Sequence, residues 1–257
     1  MSDGAHPDPA LAVRLRALTP ARVGLACTGV SLETRDLLDF QRFHAQARDA
    51  VHSRLEAASL VTTLAQISSA EVLRLHSAAA DRATYLQRPD LGRTLDEPSR
   101  DQLFRHAPPT EAPSKKLAFI VADGLSSLAV ERHAAALISE LFPHLDGWKL
   151  TPICVVEQAR VAIGDEIGLA LGAEISVVLI GERPGLSSPD SLGVYITFDP
   201  RPGRTDAERN CISNIRAEGM SYTQAAAQLV YYLTEARRRQ LTGVALKEES
   251  HRLKAEG

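Results

Sequence analysis

Three short, nearly unbroken apolar runs organise the second half of the chain, at residues 117–122, 151–156 and 175–180. Each is too short for a helix and lacks the polar alternation of a strand with one wet face, so each reads as a strand buried on both sides. Amphipathic segments of helical period separate them, one running to about residue 142 and one spanning about 164–171. Strand, helix, strand, helix, strand in this order predicts an α/β fold: a mostly parallel, doubly wound, Rossmann-like sheet with right-handed crossovers. A fourth strand is expected at residues 194–198 and a long closing helix from Tyr222 to about Leu241.

The first third has a different texture, rich in Ala, Arg and Leu. Leu37, Phe40, Phe43 and Ala47 mark one stripe of an amphipathic helix within residues 32–52, with Ser31 or Thr34 as its cap. A second helix is expected around residues 69–80. The segment 85–93 reads as an ordered turn, because Tyr85, Leu86 and Leu91 need burial. Pro108, Pro109 and Pro113 then interrupt the chain, since proline neither continues a helix nor donates to a strand ladder. This divides the protein into an N-terminal helical region, 1–113, and a Rossmann-like domain, 114–257.

Composition narrows the setting. The 257 residues are 44% hydrophobic and 24% charged, ordinary values for a globular chain with a sizeable core. A net charge of −3 supplies no strong field toward nucleic acid or an anionic membrane. Arg237, Arg238 and Arg239, with Lys247, Arg252 and Lys254, make the C-terminus mildly basic, as a solvated helix face would be. Cys27, Cys154 and Cys211 show no CxxC or metal-ligand spacing, which points to free thiols in a reducing compartment and no metal site. The first ten residues lack the basic-then-apolar order of a signal peptide, and no stretch approaches the roughly 20 apolar residues that span a bilayer. The expected location is the cytoplasm.

Ligands of an open α/β sheet bind along the carboxyl ends of its strands, so chemistry is expected in the loops after the three runs. In Asp123-Gly-Leu-Ser-Ser127, either Ser126 or Ser127 can cap the next helix while free amides face a ligand. Gly181-Glu-Arg-Pro-Gly-Leu186 is too polar and too rich in Gly and Pro for core. Glu182 either pairs with Arg183 at the surface or points into the crevice where the loops converge. The signatures GxGxxG, GxxxxGK[ST] and GxSxG are absent, which counts against a nicotinamide-dependent dehydrogenase, a P-loop NTPase and an α/β-hydrolase. Cys211 lies in Arg209-Asn-Cys-Ile-Ser-Asn214, a polar segment without helical or strand period. No His is locally placed as its base, which favours a packed thiol or a ligand contact over a nucleophile. Nothing local singles out Val161. No catalytic residue is assigned.

Five segments together carry a resemblance: Tyr85-Leu-Gln-Arg-Pro-Asp-Leu-Gly-Arg93, Ala122-Asp-Gly-Leu-Ser126, Gly164-Asp-Glu-Ile-Gly168 with Leu171-Gly-Ala173, Gly181-Glu-Arg-Pro-Gly-Leu186, and Cys211-Ile-Ser-Asn214. In order and approximate spacing the set resembles the light chain, or small subunit, of ethanolamine ammonia-lyase. That resemblance implies an adenosylcobalamin-dependent carbon–nitrogen lyase turning ethanolamine into acetaldehyde and ammonia. It implies a hetero-oligomer in which a large barrel subunit carries most substrate- and radical-handling residues. The corrinoid contacts it implies for this chain fall on Val161, Glu182 and Cys211, which makes 114–257 a cobalamin-binding domain. No His has an Asp two residues before it, so the Asp-x-His-x-x-Gly signature of many cobalamin mutases is missing and the family's base-on mode is expected. Some relatives use an extended N-terminal tail to enter a protein-shelled microcompartment. The segment before the first long helix is short here, which leaves encapsulation open. Two alternatives stand beside this reading. One is a stand-alone nucleotide- or phosphometabolite-binding module using the same sheet edge. The other is a self-sufficient cysteine enzyme built on Cys211.

Overall fold

The computed structural model describes residues 9–107 and 115–247, apart from 20, 26 and 29. The chain opens with α1 (Pro9–Leu18), a small hairpin of β1 (Cys27–Thr28) and β2 (Ser31–Leu32), and helices α2 (Thr34–His52) and α3 (Ala57–Ile67). Then come β3 (Val72–His76), α4 (Arg82–Gln87) and α5 (Glu97–Phe104). The second half contributes β4 (Lys116–Ala122), α6 (Ser127–Leu141), β5 (Lys149–Leu150), β6 (Ile153–Glu157), α7 (Ile163–Ala170), β7 (Ile175–Gly181), β8 (Leu192–Phe198), β9 (Asn210–Ile215) and α8 (Tyr222–Arg239).

Seven strands form one sheet in the order β3-β6-β4-β7-β8-β9, with β5 also paired to β4. β3, β6, β4, β5 and β7 are mutually parallel, while β8 and β9 each run antiparallel to their neighbour. Along β4, Leu117, Phe119 and Val121 face a core layer shared with α3, α6 and α8, and Ala118, Ile120 and Ala122 face a second layer beneath α5 and α7. Both faces are dry, which is why the strand reads as one apolar run. α6 and α7 lie on opposite faces, so the loops after neighbouring strands β4 and β6 leave in opposite directions and open a crevice at the carboxyl edge.

Two features of the Gly164-Asp-Glu-Ile-Gly168 motif hold α7 against the sheet. A side chain at Gly164 would overlap Val178, and one at Gly168 would come within 2.5 Å of Pro200 Cγ. Between them Asp165 accepts a forked pair of bonds from Arg209, at 2.7 Å (Nη1 to Oδ1) and 2.6 Å (Nη2 to Oδ2). Arg209 also donates to Thr197 Oγ1 at 2.8 Å and to the Arg204 carbonyl at 3.0 Å, which fixes the start of β9.

The strands at the two edges of the sheet depart from expectation. β3 lies inside residues 69–80, where a helix was expected. Leu73 and Leu75 point inward and Arg74 outward, but this period of two is short and followed by alanines at 78–80. β9 runs through the segment that showed no period, with Ile212 buried and Cys211 exposed. Edge strands are half wet and carry fewer apolar residues, so their signal is weak. β8 falls where a strand was expected but runs antiparallel, because loop 182–191 turns the chain straight back.

α2 matches the helix expected at 32–52, although its N-cap is Glu33, without a side-chain cap bond, rather than Ser31 or Thr34. Its stripe is not core: Leu37 and Phe40 remain 43% and 39% exposed. The prolines at 108–113 lie outside the described residues, as do Arg252 and Lys254. Among the described residues no helix is long and apolar enough to cross a membrane.

Candidate cofactor site at the carboxyl edge

Three loops meet at the crevice, and the first two interlock. After β4 the chain turns through Gly124 at φ 58° into Ser126. Ser126 Oγ accepts the Ala129 N–H at 3.2 Å as the N-cap of α6 and donates to the Pro189 carbonyl at 2.8 Å. Ser126, one of the two residues expected to cap, is the cap. A side chain at position 124 would meet Ile180 Cγ1 at 2.5 Å. One at Gly181 would overlap the Ser126 carbonyl and lie 2.6 Å from that of Asp123. Glycine at both places lets the ends of β4 and β7 close on each other.

The second loop, after β6, is tied to the first by a buried carboxylate. Asp123 Oδ2 accepts the Gln158 N–H at 2.9 Å and Oδ1 accepts the Ala159 N–H at 3.0 Å. Gln158 sits in the left-handed region, at φ 56°. Arg82, 6% exposed, donates to the carbonyls of Val51 at 2.6 Å and Gly124 at 2.8 Å and lies 3.6 Å from Asp123. The Tyr85 hydroxyl donates to the Ala159 carbonyl at 3.3 Å, and its ring lies between the guanidinium groups of Arg82 and Arg160 at 4.7 and 4.2 Å. The Arg160 N–H reaches the Gly92 carbonyl at 2.7 Å. Segment 85–93 is thus a clamp on the loop that presents Val161. Burial pushes the Asp123 carboxyl up to about 6, against the pull of the two amides and Arg82.

The third loop carries Glu182, half-buried. Its Oε2 accepts from Ser191 Oγ at 2.5 Å and from the Asn214 N–H at 3.2 Å. Oε1 accepts no hydrogen bond among the described residues, and Arg183 makes no ion pair with this carboxylate. Of the two readings of Glu182, the crevice is the one found. A cavity of about 430 Å³ is lined by Tyr85, Gly124, Val161, Glu182 and Tyr195 among others. A neighbouring cavity of about 620 Å³ shares Arg160 and Val161 as its border. Val161 and Glu182 therefore face one space.

Cys211 does not line that space. It lies one strand further, on β9 opposite Tyr195. Although Cys211 has exposed surface, desolvation of the thiol raises its pKa and Glu182 adds to this, while a hydrogen bond from Tyr195 opposes it. The group is a neutral thiol at pH 7, unsuited to attack. Iodoacetamide at neutral pH is expected to alkylate Cys211 more slowly than an unstructured cysteine peptide, with Cys211→Ser as the blank. Faster alkylation would make it an activated nucleophile.

The sheet edge thus offers a broad, partly polar seat with one free carboxylate oxygen. The family model "Ethanolamine ammonia-lyase light chain (EutC)" matches residues 10–247. The chain belongs to the ethanolamine ammonia-lyase light-chain family. It is therefore a lyase subunit. Curated relatives agree. The "Ethanolamine ammonia-lyase small subunit" of Pseudomonas paraeruginosa (strain DSM 24068 / PA7) is 57% identical over 245 residues, covering 95% of this chain and 89% of the relative. The protein of the same name from Xanthomonas campestris pv. campestris (strain B100) is 56% identical over 242 residues, covering 93% and 88%. That from Pseudomonas fluorescens (strain SBW25) is 55% identical over 240 residues, covering 93% and 86%. Of the three residues expected from the sequence, Val161 and Glu182 line the crevice and Cys211 does not, while Asp123, Arg82 and Tyr195, which help to build it, were assigned no part. An Asp placed directly after a doubly buried strand was the available signal for the first.

Proposed function

We propose that this chain is the cofactor-holding subunit of an adenosylcobalamin-dependent ethanolamine ammonia-lyase, working with a large subunit in the cytoplasm to convert ethanolamine to acetaldehyde and ammonia. The observation that carries the reading is that Glu182, whose Oε1 accepts no hydrogen bond among the described residues, lines the same cavity as Val161 in a member of this family. The corrin is a broad ring fringed by amides, and a carboxylate oxygen with no other partner is a matching acceptor for an amide N–H. The chemistry of the site fits the group. When bound, adenosylcobalamin supplies the radical that starts the reaction, and the protein supplies position and electrostatics.

In this reading Ser191 and the Asn214 amide hold Oε2 and thereby aim Oε1. Val161 offers backbone and apolar contact from the clamped second loop. Cys211, beside Tyr195, contributes contact area from the next strand rather than chemistry. The reacting groups of the substrate are left to the large subunit, and this chain's task is to bind and orient.

The test is an ultraviolet–visible titration of adenosylcobalamin into the co-expressed two-subunit complex, with ammonia release from ethanolamine assayed in parallel. Glu182→Ala is expected to weaken cofactor binding by about tenfold to a hundredfold, as loss of a hydrogen bond to a charged group implies. Unchanged affinity and turnover in that variant would remove Glu182 from the site. Failure of the wild-type complex to bind adenosylcobalamin would overturn the reading as a whole.

A further inference from the structure

We propose that Asp123 is a positioning residue for the cofactor: by accepting the N–H groups of both Gln158 and Ala159, its carboxylate holds the second loop in the shape that presents Val161. The inference rests on the cofactor reading above, but no part of that reading assigns Asp123 a role. Its side chain is fully buried and is not part of the lining of the cavity that Val161 and Glu182 share. It acts only through the loop.

The geometry is specific to a carboxylate. Each oxygen accepts one backbone N–H, at 2.9 and 3.0 Å, so both acceptors are in use. Asparagine has nearly the same volume but a single acceptor oxygen, and its NH2 would face an N–H donor. One of the two amides must then turn away. The loop has reason to move when released, because Gln158 is held at φ 56°, which side-chain-bearing residues adopt only when their surroundings enforce it. Arg82 reinforces the lock through the Gly124 carbonyl, and Tyr85 holds Ala159 through its carbonyl. Val161 follows Ala159 by two residues, too few to absorb a turned peptide before the site.

Protonation has the same consequence as the amide, since a protonated carboxyl keeps one full acceptor and turns the other oxygen into a donor. The charged group that faces Asp123 is Arg82 of α4, with Tyr85 of the same helix beside it and Arg160 of the loop over the Tyr85 ring. The arginines stay charged, and burial pushes the Tyr85 hydroxyl up, so neither changes state near neutrality. Burial places the Asp123 carboxyl at about 6, against an ordinary value of 3.8. The sign for stability follows from the raised value: the folded state holds this proton more tightly, so the contribution is fully present below about 4 and is lost as pH rises through about 6. Cofactor affinity should run the opposite way and weaken as pH falls through about 6. Opposite slopes separate a positioning role from a merely structural one.

The experiment is adenosylcobalamin titration of the assembled two-subunit complex at about pH 7.5 and about pH 5, for wild type, Asp123→Asn, Glu182→Gln and Leu137→Ala. Wild type is expected to lose affinity several-fold at the lower pH. Asp123→Asn is expected to bind about tenfold more weakly at pH 7.5, a loss of about 1.4 kcal/mol, and to show no further pH dependence. Glu182→Gln should bind weakly yet keep the dependence. Leu137→Ala, a cavity in the opposite core layer, should lower the melting temperature without moving affinity. Should Asp123→Asn not assemble, the wild-type and Glu182→Gln profiles still decide. Flat affinity in wild type, or an Asp123→Asn complex that binds normally, overturns the proposal. Normal binding by Glu182→Gln instead points to failure of the site reading itself.

Discussion

Replacing Arg209 with methionine lowers the unfolding free energy by about 3–5 kcal/mol, because it strands a buried charge. The side chains of Arg209 and Asp165 are only 1% and 2% exposed, and their forked bonds satisfy both carboxylate oxygens. Without the guanidinium, the Asp165 carboxylate keeps no comparable partner and sits between α7 and the antiparallel end of the sheet. The check is urea denaturation: the midpoint should fall with the slope nearly unchanged. Adding Asp165→Leu to the arginine variant should recover much of the loss, since an apolar pair of similar volume removes the uncompensated charge. A single variant as stable as wild type would mean that water reaches the pair.

The second large effect is expected at Gly181. Alanine there drives its methyl group into the backbone carbonyls of Ser126 and Asp123, not into the movable tip of a side chain. Relief requires the end of β7 to withdraw from the start of α6. The cost should lie at or above the upper end of the roughly 1–3 kcal/mol seen when a packed interior is overfilled, and the crevice should lose its shape. The expected result is a lower melting temperature together with failure to retain adenosylcobalamin. Gly185→Ala is the matched comparison, because its new methyl group meets the Ser188 hydroxyl oxygen at 2.7 Å, which can rotate away, and backbone no nearer than the Ser188 nitrogen at 4.0 Å. If both variants behave alike, the closure of β4 on β7 does not shape the site.

The runs at β4, β6 and β7 were legible because burial on both faces leaves no polar residue to break them. β3 and β9 were not, because each has one side open to solvent, and β3 is followed by alanines that read as helix. Glu182 was legible as a candidate because a charged residue directly after a buried strand has few structural reasons to be there. Its orientation was not, since Ser191 and Asn214, which aim it, lie 9 and 32 residues away in the chain. The partnership of Asp123 with Gln158 and Ala159 spans 35 and 36 residues and depends on which strands become neighbours. No local pattern encodes that. Val161 entered only through the resemblance, because an aliphatic residue in a loop carries no chemical signature of its own.

The interlock of Gly124 with Gly181, and the strut of Asp123 between the first two loops, also bear on the kinetics of the site. These loops are set by the fold before any ligand arrives, so the entropy of ordering them is already spent in folding and is not charged again to association. Such a seat is rigid. Under the function proposed above, differences among corrinoids that fit it differently should then be written in how long each one stays rather than in how fast each one lands.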